Sequence, residues 1–259
     1  MDPEEVPKRI DTLSLGVIFI IIGLGVVFQI FNSYVIEPVD EELDILEVSV
    51  TVVFGIAAVM AFLVSKRYDW RTEVFGKTYL SLALAYVMFV IAELIWNYYE
   101  VILQESPYPS EADIFYFAFY PFTIYHLVKN CRFFKPQLGR FEKFWIAAIP
   151  IAIVAVYAYL SYQDLGEVNL DLFYGSAFVI GTSITLTFAI LGVTIFKRSL
   201  LGVIWVLLAL GIFLNGVADV WYYYLELFGL YSRDHVTMAL WFTSTNFIIY
   251  ALYKHYRSI

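Results

Sequence analysis

The stretch AELIWNYY at residues 92–99 returns in altered form as ADVWYYY at residues 218–224. Each copy places one acid, Glu93 or Asp219, inside a long apolar run, followed by a tryptophan and tyrosines. The next apolar runs also correspond without a gap, with Phe122, Ile124, Tyr125, Leu127 and Lys129 matching Phe247, Ile249, Tyr250, Leu252 and Lys254. Recurrence at a fixed separation predicts an internally duplicated fold.

The composition is typical of an integral membrane protein. Of 259 residues, 61% are hydrophobic and only 15% are charged, whereas a soluble domain carries roughly 25% charged residues. A membrane-spanning helix needs about 20 mainly apolar residues. The sequence therefore predicts an all-α bundle of eight transmembrane helices, at about 13–36, 46–65, 78–99, 113–128, 144–162, 172–195, 200–224 and 236–253. The fourth run is short, and we include it because it corresponds to the eighth.

The charges of the connecting segments alternate in sign along the chain. Acidic residues concentrate at 37–47, 100–113 and 164–171, whereas the segments between them are basic. Fifteen of the sixteen lysines and arginines fall on one side of the predicted bundle, with Arg233 as the exception. Because basic segments stay in the cytoplasm, this pattern predicts a multi-pass protein of the cell membrane whose N- and C-termini are both cytoplasmic. The first run is longer than a signal-peptide core, so we expect it to be a retained span.

Four spans in each half give the two halves the same orientation in the membrane. We therefore predict a parallel duplication, with one four-helix repeat at residues 1–135 and a second at residues 136–259. The correspondence is clear for the third and fourth spans against the seventh and eighth. It is weaker for the other pairs, which share an acidic start and a Lys-Arg end, Lys66-Arg67 and Lys197-Arg198.

The two acids within the spans are the leading candidates for a functional site, since ionisable groups in hydrocarbon are costly. Glu93 lies seven residues before Glu100, about 10 Å below the acidic loop at 1.5 Å per residue, and Asp219 has a similar depth. Asn215 precedes Asp219 by one helical turn and can share its face. The alternative is structural, because a buried acid can simply bond a neighbouring helix, with a contribution of about 0.6 kcal/mol.

Aromatic residues follow both acids towards the outer ends of the third and seventh spans. The candidates for the same site are Trp96, Tyr99, Trp221 and Tyr223. Tryptophan and tyrosine are enriched at membrane interfaces, so anchoring explains them as well as a ligand cage does. An aromatic cage beneath an acidic rim would suit an organic cation, which acidic loops would also attract.

Several kinds of site have no support in the sequence. His126 and His255 lie at the cytoplasmic end and His235 at the outer end, so the three cannot form one metal centre, and they leave no mid-membrane pair for haem. No lysine lies deep in a span, which excludes a retinal Schiff base, and the P-loop, Rossmann and GxSxG motifs are missing. The scattered basic residues do not indicate nucleic-acid binding. We expect no metal and no cofactor, with the lipid bilayer as the main partner and the oligomeric state left open.

Two resemblances bear on function. The stretch 92–100, followed by SPYPSEADIFY at 106–116, resembles the multi-span N-terminal sensor regions of prokaryotic histidine kinases and diguanylate cyclases, over residues 85–128. This resemblance implies a sensory role and, because no output domain follows before Ile259, a separate cytoplasmic signalling partner. Gly211, Asn215 and Asp219 carry a weaker resemblance to the lysoplasmalogenase-like eight-span family, which implies hydrolysis by paired acids.

Three functions follow as hypotheses. The leading one is a membrane sensor or ligand-binding module with an outward-facing polar cavity near Glu93 and Asp219, which signals through its cytoplasmic loops. The enzymatic alternative is a membrane-embedded hydrolase of lipid substrates, in which the two acids face a shared water or scissile bond. The third is a small cation- or proton-coupled transporter, which requires access to the acids from both sides of the membrane.

Overall fold

The protein is all-helical, as predicted from the sequence. The computed structural model describes residues 12–34, 45–72, 74–105, 107–135, 137–232 and 234–259. These residues form eight α-helices and no strand: α1 (Thr12–Tyr34), α2 (Ile45–Arg67), α3 (Phe75–Asn97), α4 (Ala112–Phe134), α5 (Arg140–Leu165), α6 (Leu170–Phe196), α7 (Gly202–Glu226) and α8 (Val236–Ser258). A π-helical segment, Tyr98–Leu103, continues α3. The basic pair at 8–9, the acidic segment 37–44 and Arg233 lie outside the described residues.

Seven of these helices are long and apolar enough to cross a membrane, all except α4. The chain is therefore a multi-pass membrane protein. The helix α4 also has 23 residues, but polar residues such as Asp113, His126 and Asn130 lower its hydropathy. Hydropathy alone thus supports seven of the eight predicted spans.

Six helices form a closed ring of neighbours. In order, α2 packs on α3, α3 on α4, α4 on α6, α6 on α7, α7 on α8, and α8 on α2. The sequence of contacts α2–α3–α4 is thus repeated in α6–α7–α8, and the two triplets meet through α8–α2 and α4–α6. The remaining helices break this pattern, since α1 packs on α8 whereas α5 packs on α6.

Small residues allow α6 to pack closely against its neighbours. A Cβ atom on Gly192 would lie 2.2 Å from ring carbons of Trp205, and one on Gly181 would lie 2.7 Å from the ring of Tyr120. Trp205 is fully buried and stacks on Phe196, with 4.6 Å between the ring centroids. Close approach of helices through small residues is the usual packing mode in membranes, where lipid provides no hydrophobic drive between helices.

The bundle has two chemically different ends. At the end called here the acidic end, α3 and α7 finish, α4 and α8 begin, and the nearby residues include Glu105, Glu111, Asp164 and Asp234. The opposite, basic end carries Lys66, Arg67, Lys129, Lys197, Arg198 and Lys254. The candidate site lies at the acidic end.

Candidate functional site

A cavity of about 70 Å³ lies at the acidic end, inside the ring of helices. One enclosed water molecule needs roughly 10–15 Å³ of cavity volume measured in the same way, so the cavity has room for a few waters or for a ligand of similar size. Its lining residues come from α2, α3, the π-helical segment, α4, α7, α8 and the segment before α8: Val50, Phe89, Glu93, Trp96, Glu100, Asp113, Tyr116, Tyr120, Asp219, Tyr222, Tyr223, Tyr231, Met238 and Trp241.

The cavity wall is acidic. Glu93, Glu100, Asp113 and Asp219 all line it, and the described lining residues include no lysine, arginine or histidine. The two acids from the repeated stretches therefore share one cavity, although they belong to opposite halves of the chain. A carboxylate-rich wall in a partly enclosed, low-dielectric space favours cations.

Asp219 is held by donors from four different helices. Its Oδ2 accepts hydrogen bonds from Tyr120 Oη at 3.0 Å, Thr182 Oγ1 at 3.0 Å and Asn215 Nδ2 at 2.8 Å. Its Oδ1 accepts from Trp241 Nε1 at 2.9 Å. A carboxylate offers about four lone-pair sites, two on each oxygen, so these donors fill Oδ2 and leave at most one site on Oδ1. The side chain thus joins α4, α6, α7 and α8.

Glu93 has fewer donors. The Tyr116 hydroxyl donates to its Oε1 at 2.9 Å, and the Thr51 side chain forms a second hydrogen bond with the carboxylate. Both donors are hydroxyl groups, which can also accept hydrogen bonds after rotation. Compared with Asp219, Glu93 therefore keeps capacity for a further partner.

The donors to the two acids occupy corresponding positions in the sequence. Thr51 and Thr182 are separated by 131 residues, as are the Lys-Arg pairs that end α2 and α6. Tyr116 and Trp241 are separated by 125 residues, the same distance as between Phe122 and Phe247. Each acid thus receives a hydrogen bond from a threonine on the preceding helix and from an aromatic residue on the following one.

The other two acids of the wall have identifiable local partners. Glu100 accepts a hydrogen bond from Trp96 Nε1 at 3.0 Å, one helical turn away. Asp113 accepts from the Ser110 amide at 2.8 Å, and the Ala112 amide donates to Ser110 Oγ at 3.2 Å. This reciprocal arrangement satisfies amides at the start of α4.

Most of the sequence candidates reach the cavity or its immediate wall. Trp96 and Tyr223 line it. Asn215 lies beside it, bonded to Asp219, and lines an adjacent cavity of about 10 Å³. Tyr99 and Trp221 do not line this cavity and contact other surfaces of the bundle.

Helix geometry explains the positions of Tyr99 and Trp221. Trp221 follows Asp219 by two residues, about 200° around an α-helix, so it points away from the cavity. Its ring packs edge-on against His235 at 4.8 Å and is 43% exposed. Tyr99 lies in the π-helical segment, whose wider turn changes the side-chain direction, and its hydroxyl donates to Glu111 Oε2 at 2.5 Å. That hydrogen bond lowers the pKa of Glu111.

Within the described parts of the chain, no group of three or more His, Cys, Asp or Glu side chains is placed to hold a metal ion.

Comparisons of this chain with protein-family models, with curated proteins and with solved structures gave no match. Function must therefore be argued from the cavity.

Proposed function

We propose that this protein is a membrane sensor, a ligand-binding module that admits a small polar ligand to the cavity at its acidic end. The observation that carries the proposal is that Glu93 and Asp219, one from each half of the chain, line one cavity together with Glu100 and Asp113. Intramembrane acids that face a cavity usually mark a ligand or ion site. Occupancy of the cavity is passed along the helices to loops at the basic end, where a separate signalling partner binds.

The helices that carry the cavity also reach the basic end, which supports the signalling step. Trp241 on α8 bonds Asp219, and His255 at the other end of α8 bonds Tyr68 Oη at 2.9 Å and Tyr79 Oη at 2.6 Å. A shift of α8 relative to α3 on ligand binding would therefore disturb the contacts of His255. Ligand binding drives such a shift only to the extent that the ligand prefers one arrangement of the helices.

The contacts of Asp219 favour binding over hydrolysis. A general base must accept a proton from water or substrate at hydrogen-bonding distance. Four donors already occupy Asp219, so a paired-acid hydrolase would first have to break this network. Transport is also less well supported, since fully buried residues such as Leu82, Leu127 and Trp205 fill the bundle between the cavity and the basic end.

The same proposal includes the membrane topology. We infer eight spans in a parallel four-plus-four duplication, with the acidic end outside and both termini in the cytoplasm. The helix α4 packs between α3 and α6 in the ring, which supports its crossing alongside them. The corresponding donors to Glu93 and Asp219 support the duplication, and so do two matching cation–π pairs at the basic end, Lys129 with Tyr125 and Lys254 with Tyr250. Orientation rests on the positive-inside rule.

Access to the cavity can be tested by cysteine labelling. In a Cys131→Ser background, Met238→Cys places a thiol in the cavity wall, and Ala239→Cys places one at a neighbouring buried position outside it. We expect a membrane-impermeant cationic thiol reagent, added outside sealed cells, to modify Met238→Cys and not Ala239→Cys. An anionic reagent of similar size should react more slowly, because the wall is acidic. Equal labelling of both positions, or labelling of Met238→Cys only from the cytoplasmic side, would contradict the proposal.

Signalling can be tested by hydrogen exchange. Filling the cavity should change amide exchange near His255 and in the segment 68–79, far from the ligand. A change in exchange confined to the acidic end would contradict the sensory step of the proposal and would support ligand binding alone.

A further inference from the structure

The wall of the cavity is aromatic as well as acidic. Trp96 packs edge-on against Tyr116 and Tyr222, both with 6.3 Å between ring centroids, and Tyr222 packs against Trp241 at 5.5 Å. These rings surround the same space as the four carboxylates. The ring of Tyr222 is buried in this wall, and its hydroxyl lies beside the Glu226 carboxylate.

The chemistry of the wall discriminates between classes of cation. Calcium takes six to eight oxygen ligands and magnesium requires a near-ideal octahedron, so both need several oxygens gathered around one point. The described acids of the cavity are not gathered in this way. Aromatic rings instead attract weakly hydrated organic cations, above all ammonium groups.

The four acids are not equally available to such a cation. Asp219 is occupied by four donors, and Asp113 bonds the Ser110 amide at the start of α4. Glu93 has two hydroxyl donors and lies between α2 and α4 in the wall. Glu100 accepts from Trp96 Nε1 and lies two helical turns nearer the end of the bundle, so Glu93 is the inner acid that keeps capacity for a further partner.

We propose that the cavity binds a small organic ammonium ion, with Glu93 as the carboxylate that pairs with it and Trp96, Tyr116 and Trp241 as the surrounding rings. This inference rests on the proposed ligand-binding function and specifies its ligand class. The volume of about 70 Å³ restricts the ligand to a few non-hydrogen atoms in the observed conformation. Protonated primary amines and methylated ammonium ions of that size carry the required charge, and methylation weakens the hydration of the cation.

Protection of the cavity thiol provides the test. The rate of modification of Met238→Cys by a neutral thiol reagent is measured while tetramethylammonium or methylammonium chloride replaces sodium chloride at constant ionic strength. We expect at least one of the two ions to slow the reaction in a saturable manner. Calcium chloride, at matched ionic strength, should not protect.

Variants of the acids test the role of Glu93. Glu93→Gln should raise the half-protecting concentration at least tenfold, whereas Glu93→Asp, which keeps the charge, should raise it less. Glu105→Gln is the matched control, because Glu105 is an exposed acid at the same end and does not line the cavity.

The outcomes separate the two proposals. If Met238→Cys is modified but neither ammonium ion protects it, or calcium protects it equally well, the ammonium assignment is overturned while the accessible cavity stands. Unchanged protection in Glu93→Gln would overturn the role of Glu93. If Met238→Cys cannot be modified from outside, the proposed function itself fails.

Discussion

Replacing Asp219 by asparagine should weaken the bundle through one specific contact. The substitution keeps the shape of the side chain but exchanges one oxygen for an amide group. The amide oxygen of the new side chain can take the place of Oδ2, which accepts hydrogen bonds from Tyr120, Thr182 and Asn215 in the native protein. The new NH₂ group then faces Trp241 Nε1. The indole N–H can only donate, so two donors then oppose each other.

The size of the effect follows from this geometry. A buried donor left without an acceptor costs about 1–3 kcal/mol. The three remaining hydrogen bonds then have an uncharged acceptor. Each loses only part of its strength, which averages about 0.6 kcal/mol for hydrogen bonds between membrane helices. We therefore expect Asp219→Asn to lower the free energy of unfolding by about 2 kcal/mol, using the middle of the first range.

A double-mutant cycle isolates the contact. In a Trp241→Phe background the opposing N–H is absent, so Asp219→Asn should cost less than in the native protein, with a coupling energy of about 1–2 kcal/mol. The free energy of unfolding is measured by reversible denaturation in mixed micelles, followed by circular dichroism. Glu105→Gln, at an exposed position, serves as the control and should have no effect. Additive effects of the two substitutions, or a fully stable Asp219→Asn, would refute the reasoning.

Two further predictions concern packing and pH. Gly192→Ala should destabilise the protein by about 1–3 kcal/mol in the same assay, because the new Cβ would lie 2.2 Å from the Trp205 ring and overpacking forces neighbours to shift. The control is Gly16→Ala, which should be neutral because no atom lies within 4 Å of the new Cβ. Equal effects of the two substitutions would contradict the close packing of α6. His235 Nδ1 accepts the Thr237 N–H at 3.3 Å and must be unprotonated to do so. Partial burial lowers the pKa of His235 from its usual 6.5, so its contribution to stability is fully present above about pH 6.5 and is lost as the pH falls through the folded-state pKa. Protection of the Thr237 amide from hydrogen exchange should therefore decrease in acid in the native protein. It should not decrease in His235→Asn, because asparagine caps the helix without titrating. Protection that is independent of pH in the native protein would contradict the proposed role of His235.

The sequence predicts the helices well because hydropathy reports burial in hydrocarbon directly. The eighth run, predicted at 236–253, is the helix Val236–Ser258, and the fifth, predicted at 144–162, is Arg140–Leu165. Both helices extend beyond the predicted run at the basic end. Lysine and arginine side chains can reach the interface from within a helix, so the helix continues after the apolar pattern stops.

The arrangement of the helices around the cavity is not encoded in hydropathy. The rise per residue gives Glu93 and Asp219 a similar depth, but only the order of contacts in the ring places both on one cavity. Thr182 lies in a run of small polar residues, which usually pack helices, so nothing in its local sequence marks it as a partner of Asp219. Its hydrogen bond to Asp219 could have been found from the spacing of 131 residues that relates it to Thr51.

The difference between the two acids can be traced to two positions. Four residues before Asp219 stands Asn215, which donates to it, whereas four residues before Glu93 stands Phe89, which has no polar group.

The second position is that of Tyr120. Tyr120 donates to Asp219 from the other half of the chain, and the position that corresponds to it, 125 residues later, is Thr245. The hydroxyl of Thr245 donates instead to the backbone oxygen of Trp241 at 2.9 Å. Two residues thus suffice to make one acid a fixed junction between helices and to leave the other with acceptor capacity for a ligand. If the halves arose by duplication, divergence at these positions would convert two equivalent acids into one structural and one ligand-binding group.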